Sequence, residues 1–225
     1  MKAAIVGFSQ SGKSTLFSAI SGKSASPPGA SRLEEAMVPV PDPRLEWLGK
    51  LYQPQRMVHA TIDCLDLPGI NCMDEVGRSA ARRLIAQVKI SDMFVLVVRD
   101  FINDAVPPYR GTIDPIRDLK ELQAEFILTD LELVSTRVEK LEKQIKLGAK
   151  TQAQDELELA IQLKLQAVLE EERPASAAGL SQQELEPVKS LGLLTLKPIM
   201  IVINLGENEL DRKFDLSHTL DPSIP

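Results

Sequence analysis

Gly7-Phe8-Ser9-Gln10-Ser11-Gly12-Lys13-Ser14-Thr15 carries the spacing Gly-x-x-x-x-Gly-Lys-Ser. Residues 2–6, KAAIV, are short and apolar enough for a buried strand. Residues 16–23, LFSAISGK, continue as a helix. A strand, this loop and then a helix is the context in which backbone N–H groups turn inward and cradle phosphate oxygens. The helix that follows points its positive end at the anion. Ser9, Gln10, Ser11, Gly12, Lys13, Ser14 and Thr15 are therefore the expected phosphate-binding residues. Lys13 places a point charge on the outer phosphates, and Ser14 offers a hydroxyl to a magnesium ion.

A second element follows about fifty residues later. Residues 58–65 alternate, with Val58, Ala60, Ile62 and Cys64 on one face. They end in Asp66-Leu67-Pro68-Gly69. Behind a phosphate loop, a strand ending in Asp-x-x-Gly supplies a carboxylate to magnesium (Asp66, through water). It also supplies an N–H that senses the terminal phosphate (Gly69). Lys13 and Gly69 are thus the residues expected to act on the reacting phosphate, and Ser14 and Asp66 the residues expected to hold the metal.

The remaining chain reads as an α/β domain with an insertion. Residues 37–40 form a short edge strand between prolines. Leu45, Leu48 and Leu51 give a helix in which Trp47 is expected to pack. Residues 70–92 are mostly helical, and 94–98, FVLVV, form a central parallel strand. From Asp114 a helix of about 30 residues carries Ile127, Leu131, Val134, Val138, Leu141 and Ile145 at heptad spacing. Gly148 interrupts it. Leu157, Ile161, Leu165 and Val168 give a second seam, so the two helices form an antiparallel hairpin. Ser181-Gln-Gln-Glu184 is a capping box. Residues 197–203 return to a buried strand, followed by Asn204-Leu205-Gly206-Glu207, and the tail from Asp211 carries no clear element. This divides the chain into 1–117, a hairpin at 118–174, and 175–225.

Composition narrows the function. Against 26 Lys and Arg stand 32 Asp and Glu, a formal charge of −6, which argues against direct sequence-specific nucleic-acid binding. Cys64 and Cys72 are too few for a disulfide framework and read as reduced thiols of a cytoplasmic protein. With the N-terminus running straight into a strand no signal peptide is expected, and no apolar run approaches the roughly 20 residues of a membrane helix. His59 and His218 read as structural or tail residues. A chromosome-maintenance type of coiled-coil ATPase would need an acidic residue after Asp66, where Leu67 stands. A small-molecule kinase would need an arginine-rich lid and would leave Asn204 and Glu207 unexplained.

Guanine-specific switch proteins place Asn-Lys-x-Asp where this chain has Asn204, Leu205 and Glu207. The longer carboxylate should not register on guanine. With GFSQSGKSTLF, VPVPDPRLEWLGKLY, ATIDCLDLPG, VLVVRDF, DPIRDLKEL, TDLELVSTRVEKLEKQ and LLTLKPIMIVINLGE, the sequence resembles the YchF, or Obg-like ATPase, branch of the Obg GTPase family. The resemblance implies a Ras-like P-loop sheet flanked by helices, with an inserted coiled-coil hairpin. It implies binding of ATP at least as well as GTP, a magnesium cofactor, slow hydrolysis and association with the ribosome or another protein. Ile70 stands where many GTPases carry the glutamine that orients water.

The chain also departs from that family. Gln10 replaces an Asn that helps hold potassium in relatives, and no Thr lies between Thr15 and Thr61 to serve the first switch. The second switch retains only Gly77. Pro107, Pro108 and Tyr109 occupy the loop where a catalytic histidine has been proposed. Set against that family, the 225 residues are expected to lack the last sheet strand and the TGS domain, which implies a fragment or a reduced member with an exposed sheet edge. A module that holds nucleotide without hydrolysing it, and presents its hairpin to a partner, is the alternative reading.

Overall fold

The computed structural model describes residues 1–23, 32–147, 152–209 and 211–214. Gly148, most of the loop before the second strand, and the tail after Phe214, His218 included, lie outside the described residues. Five strands form one sheet: β1 (Lys2–Val6), β2 (Glu34–Pro39), β3 (Thr61–Asp66), β4 (Met93–Asp100) and β5 (Ile199–Leu205). Their order is β2-β3-β1-β4-β5, with β2 antiparallel and the others parallel. The sheet is thus the mixed α/β arrangement expected, with β1, which feeds the phosphate loop, at its centre.

The central strands are apolar because both faces are covered. Ala4, Val6, Phe94, Leu96 and Val98 face one core, with Leu119, Leu122 and Phe126 from α4 (Pro115–Lys146) and Ala81 and Ile85 from α3 (Glu75–Gln87). Phe94 and Phe126 meet edge to face at 4.9 Å. Ile5, Val97 and Cys64 face the other side, against Phe17 of α1 (Lys13–Ser21). A third core holds the far part of α4 to α5 (Gln152–Glu170) through Val134, Val138, Ile161, Leu165 and Leu169. One helix, α4, therefore lies on the sheet with its first turns and then continues into the hairpin.

Asp130 ties that helix to the turn at Leu194–Leu196 that leads into β5. It is fully buried and accepts from the Leu194 N–H, the Thr195 N–H and the Thr195 hydroxyl at 2.7–2.8 Å. The Thr195 oxygen also accepts the Ala175 N–H at 2.8 Å. Ser181 and Glu184 form the expected capping box of α6 (Gln182–Val188).

Several expectations fail for identifiable reasons. β3 begins at Thr61 and not at 58, because its ladder with β2 ends where Pro39 pairs with Thr61 and Pro41 follows. Val58 is left 65% exposed. Trp47 does not pack: on α2 (Pro43–Tyr52) it is 62% exposed, while Leu45 and Gly49 form the inner face. The stretch 70–92 is mostly helical as expected, α3 beginning at Glu75, where Asp74 caps it by accepting the Gly77 N–H. In the hairpin, Leu157 is 69% exposed and Leu169, not Val168, enters the core. Asn204 and Leu205 lie on β5 itself, paired with Arg99 and Asp100.

Candidate nucleotide-binding site

The phosphate loop leaves β1 beneath a crowded backbone. A Cβ at Gly7 would lie 2.3 Å from the Val97 carbonyl oxygen, so only glycine fits. Gly12 has φ of 93° and caps α1, whose first turn contains no acidic residue to compete for its N–H groups. Gln10, with φ of 65°, is also left-handed, a conformation that side chains other than Gly adopt at a cost of roughly 1 kcal/mol or more.

Lys13 is only 4% exposed and donates from Nζ to the Phe8 carbonyl at 2.9 Å. Burial pulls its pKa down to about 8, while the Asp66 carboxylate works to raise it. An ammonium held out of water with so little compensation is prepared for an anion. Asp66 is 5% exposed, and burial pushes its carboxyl up, against the opposing pull of the Ser14 hydroxyl and the Lys13 charge. Asp66 Oδ1 is buried and has no hydrogen-bond partner, which is a position that a cation satisfies. Among the described residues no cluster of three or more His, Cys, Asp or Glu side chains is placed to hold a metal alone. Ser14 and Asp66 thus suit an ion whose other ligands are phosphate oxygens and water, as Mg²⁺ requires.

The segment after Asp66 is pressed against the loop. The Ser9 N–H donates to the Ile70 carbonyl at 3.0 Å, and the Ile70 N–H donates to the Gly7 carbonyl at 3.2 Å. A Cβ on Gly69 would lie 2.7 Å from Ser9 Cα. Ile70 itself is 1% exposed and packs with Phe8 and Leu67 in the core, so it does not reach the cleft.

A cleft of about 1610 Å³ opens over this platform. Ser9, Gln10, Gly12, Lys13, Ser14, Thr15, Asp66, Gly69, Asn204, Leu205 and Glu207 all line it. Of the expected site residues only Ser11 does not: it is 4% exposed, and its carbonyl accepts the Asn204 side-chain amide at 3.1 Å. The cleft also takes in Phe101, Ile102 and Asn103 from the loop after β4, Arg32, and one side of α3 with Val76, Ser79 and Arg83. Sequence reading missed these. Phe101 follows the apolar β4 run and, like Leu205, puts an apolar side chain on the Asn204 side of the cleft, which was a usable signal. Arg32 and Arg83 carry no pattern that distinguishes them from other surface arginines. Among the described residues neither has an ion-pair partner.

A sequence profile described as 50S ribosome-binding GTPase matches residues 2–134, well over half of the chain. The chain belongs to this GTPase family. Its likeness within the family lies with the YchF and Obg-like ATPases. It is 33% identical over 211 residues to the ribosome-binding ATPase YchF of Haemophilus influenzae, a match spanning 92% of this chain and 57% of that protein. It is 34% identical over 221 residues to the Obg-like ATPase 1 of Schizosaccharomyces pombe, spanning 95% and 56%. The solved YchF GTPase of S. pombe superimposes with a TM-score of 0.75 at 29% identity, covering 97% of this chain and 60% of that one. The chain thus spans less than two thirds of the length of these relatives.

Proposed function

We propose that the chain is a nucleotide-binding switch that holds a purine nucleoside triphosphate with Mg²⁺, ATP at least as well as GTP, and hydrolyses it slowly. The observation that carries this reading is the buried Lys13 beside the unpartnered oxygen of Asp66, at the N-terminus of α1. Ser9 to Thr15 would wrap the phosphates with backbone N–H groups. Lys13 would neutralise charge on the outer phosphates, and the Gly69 N–H would report the terminal one. Ser14 and Asp66 would hold the metal, which when bound neutralises charge developing on the phosphate oxygens. Asn204, Leu205 and Glu207 would meet the base, with Glu207 too long to register on guanine. Potassium enters as an ion to test, because Gln10 stands at the position where relatives use Asn.

Positioning and charge neutralisation carry most of phosphoryl-transfer catalysis, so slow turnover needs no dedicated base. A second reading, a module that binds without hydrolysing, is favoured by two observations. Ile70 is buried away from the cleft, and the loop at Pro107, Pro108 and Tyr109 offers no histidine. In either case residues 118–174 would act as a coiled-coil arm toward a partner such as the ribosome, in the cytoplasm. No described helix is long and apolar enough to cross a membrane.

Single-turnover hydrolysis with Mg-ATP separates the two readings. Slow hydrolysis that Lys13→Ala abolishes supports the first. Bound ATP recovered intact after prolonged incubation supports the second.

A further inference from the structure

Tyr109 and Arg110, in the loop after β4, touch three parts of the molecule at once. The Tyr109 ring stacks on Phe8 of the phosphate loop, with centroids 4.0 Å apart and planes 8° from parallel. Its hydroxyl accepts the Cys72 N–H at 3.2 Å and donates to Glu121 of α4 at 3.2 Å. Arg110 donates to the Cys72 carbonyl at 3.3 Å and forks onto both Glu121 oxygens, with Nε to Oε2 at 3.0 Å.

Both backbone polar groups of Cys72, three residues past Gly69, are therefore held by two consecutive residues. Both of those residues are held by one carboxylate at the start of the arm helix. Phe8, under the stack, is the residue whose carbonyl holds Lys13 and whose backbone pairs with Ile70. Arg78 adds a bond to the Cys72 carbonyl at 3.2 Å, and Arg82 of α3 reaches Glu125 of α4 at 3.2 Å.

The root of α4 is already anchored by Leu119, Leu122 and Phe126, so its attachment to the sheet does not need this clip. Arg110 has φ of 53°, a left-handed conformation sustained by its contacts. The bidentate Arg–carboxylate pair is directional, and its side chains are only partly buried, so it can be made or broken without opening the core. Neither Tyr109 nor Glu121 lines the nucleotide cleft.

We propose that Tyr109 and Arg110 are positioning residues that couple the phosphate site to the helical arm, an inference that rests on the nucleotide-binding reading. When Gly69 gains or loses its phosphate contact, the chain to Cys72 shifts. The clip then passes that shift to Glu121 and along α4. The two states are clip closed and clip open, and the nucleotide biases them by its differential contact with Gly69.

The test uses the full chain and two variants. Tyr109→Phe keeps the stack and deletes both hydroxyl bonds, and Glu121→Gln removes the charge on which Arg110 forks. Calorimetry gives the affinity for Mg-ADP and for a non-hydrolysable Mg-ATP analogue. Hydrogen exchange follows α4 and α5 in each complex. The wild type should show α4 exchange that differs between the two nucleotides. Each variant should shrink that difference by about threefold or more while holding ADP affinity within about twofold. Either variant retaining the full difference overturns the proposal, as does a wild type that binds both nucleotides with identical α4 exchange. Loss of nucleotide binding together with α4 protection in the variants overturns it too, by showing that the pair only holds the fold. A wild type that binds neither nucleotide refutes the nucleotide reading itself, and the coupling with it.

Discussion

Asn204 donates its side-chain amide to the Ser11 carbonyl at 3.1 Å, joining β5 to the phosphate loop across 193 residues of sequence. The expected base-reading residue is thereby also a strut of the phosphate site. A Cβ on Gly12 would come within 2.1 Å of the same amide, so the loop and the strut are fitted to each other. Asn204→Ala leaves the Ser11 carbonyl without its donor. It should weaken ATP and GTP binding alike, by about tenfold, or roughly 1.4 kcal/mol. Titration of the variant with both nucleotides checks this. Loss confined to one nucleotide would show that Asn204 acts on the base alone.

Gly69 is pressed onto Ser9, with 2.7 Å between an added Cβ and the Ser9 Cα. Backbone on the other side of the contact cannot give way as a side-chain tip could. Gly69→Ala should therefore displace the Asp-x-x-Gly segment and lower triphosphate affinity by about tenfold while leaving diphosphate affinity within about twofold. Equal losses for the two nucleotides would mean that Gly69 does not sense the terminal phosphate.

The depressed pKa of Lys13, about 8, makes a pH prediction. In the unfolded chain a lysine titrates near about 10.4. Between these values the free folded protein binds fewer protons than the unfolded chain, so this group makes stability rise with pH across that window. A bound triphosphate favours the charged ammonium. Binding near about pH 9 should then take up a proton, and affinity should fall as pH rises above about 8. Calorimetry in two buffers of different ionisation enthalpy measures the uptake. No uptake at that pH would place Lys13 outside the anion site.

Asp130 gives the opposite sign at the base of the hairpin. Burial pushes its pKa up to about 6, outweighing the three donors and the Lys197 charge that favour the carboxylate. Its folded pKa thus lies above the unfolded value of about 3.9. The stability it contributes is fully present below about pH 4 and is lost as pH rises through about 6. Asp130→Asn removes the titration. The melting temperature of the wild type, relative to the variant, should fall between about pH 4 and 7. Parallel curves would contradict the assignment.

The sequence was most readable where one residue type answers one physical need. Gly7 and Gly12 mark where the backbone must crowd or turn, Asp66 ends its strand at the phosphate loop, and Ser181 and Glu184 cap a helix. The heptad leucines and valines foretold the hairpin because two long apolar seams have few other ways to be buried. Reading failed where a tertiary partner decides. Trp47 has helical neighbours at packing spacing in sequence, but α2 turns Gly49 against the Met57 side chain and leaves the indole in solvent. Leu169 takes the core place expected of Val168 because α5 keeps a spacing of four from Ile161 through Leu165 to Leu169 and drifts off the heptad, and Leu157 is left in solvent. In the sequence Tyr109 stands out only as the absence of a histidine. Its stack on Phe8 joins loops 101 residues apart, and no local pattern announces such a contact.

The proposed switch depends above all on the loop from Gly7 to Thr15 gripping a nucleoside triphosphate with Lys13. Calorimetric titration of wild type and Lys13→Ala with Mg-bound, non-hydrolysable ATP and GTP analogues, with and without potassium, tests it most directly. The wild type should show a single saturable site with ATP bound at least as tightly as GTP, and a Lys13→Ala variant that keeps its helical circular dichroism should show no measurable binding. Wild-type protein that binds neither nucleotide, or that binds GTP tightly and rejects ATP, would contradict it.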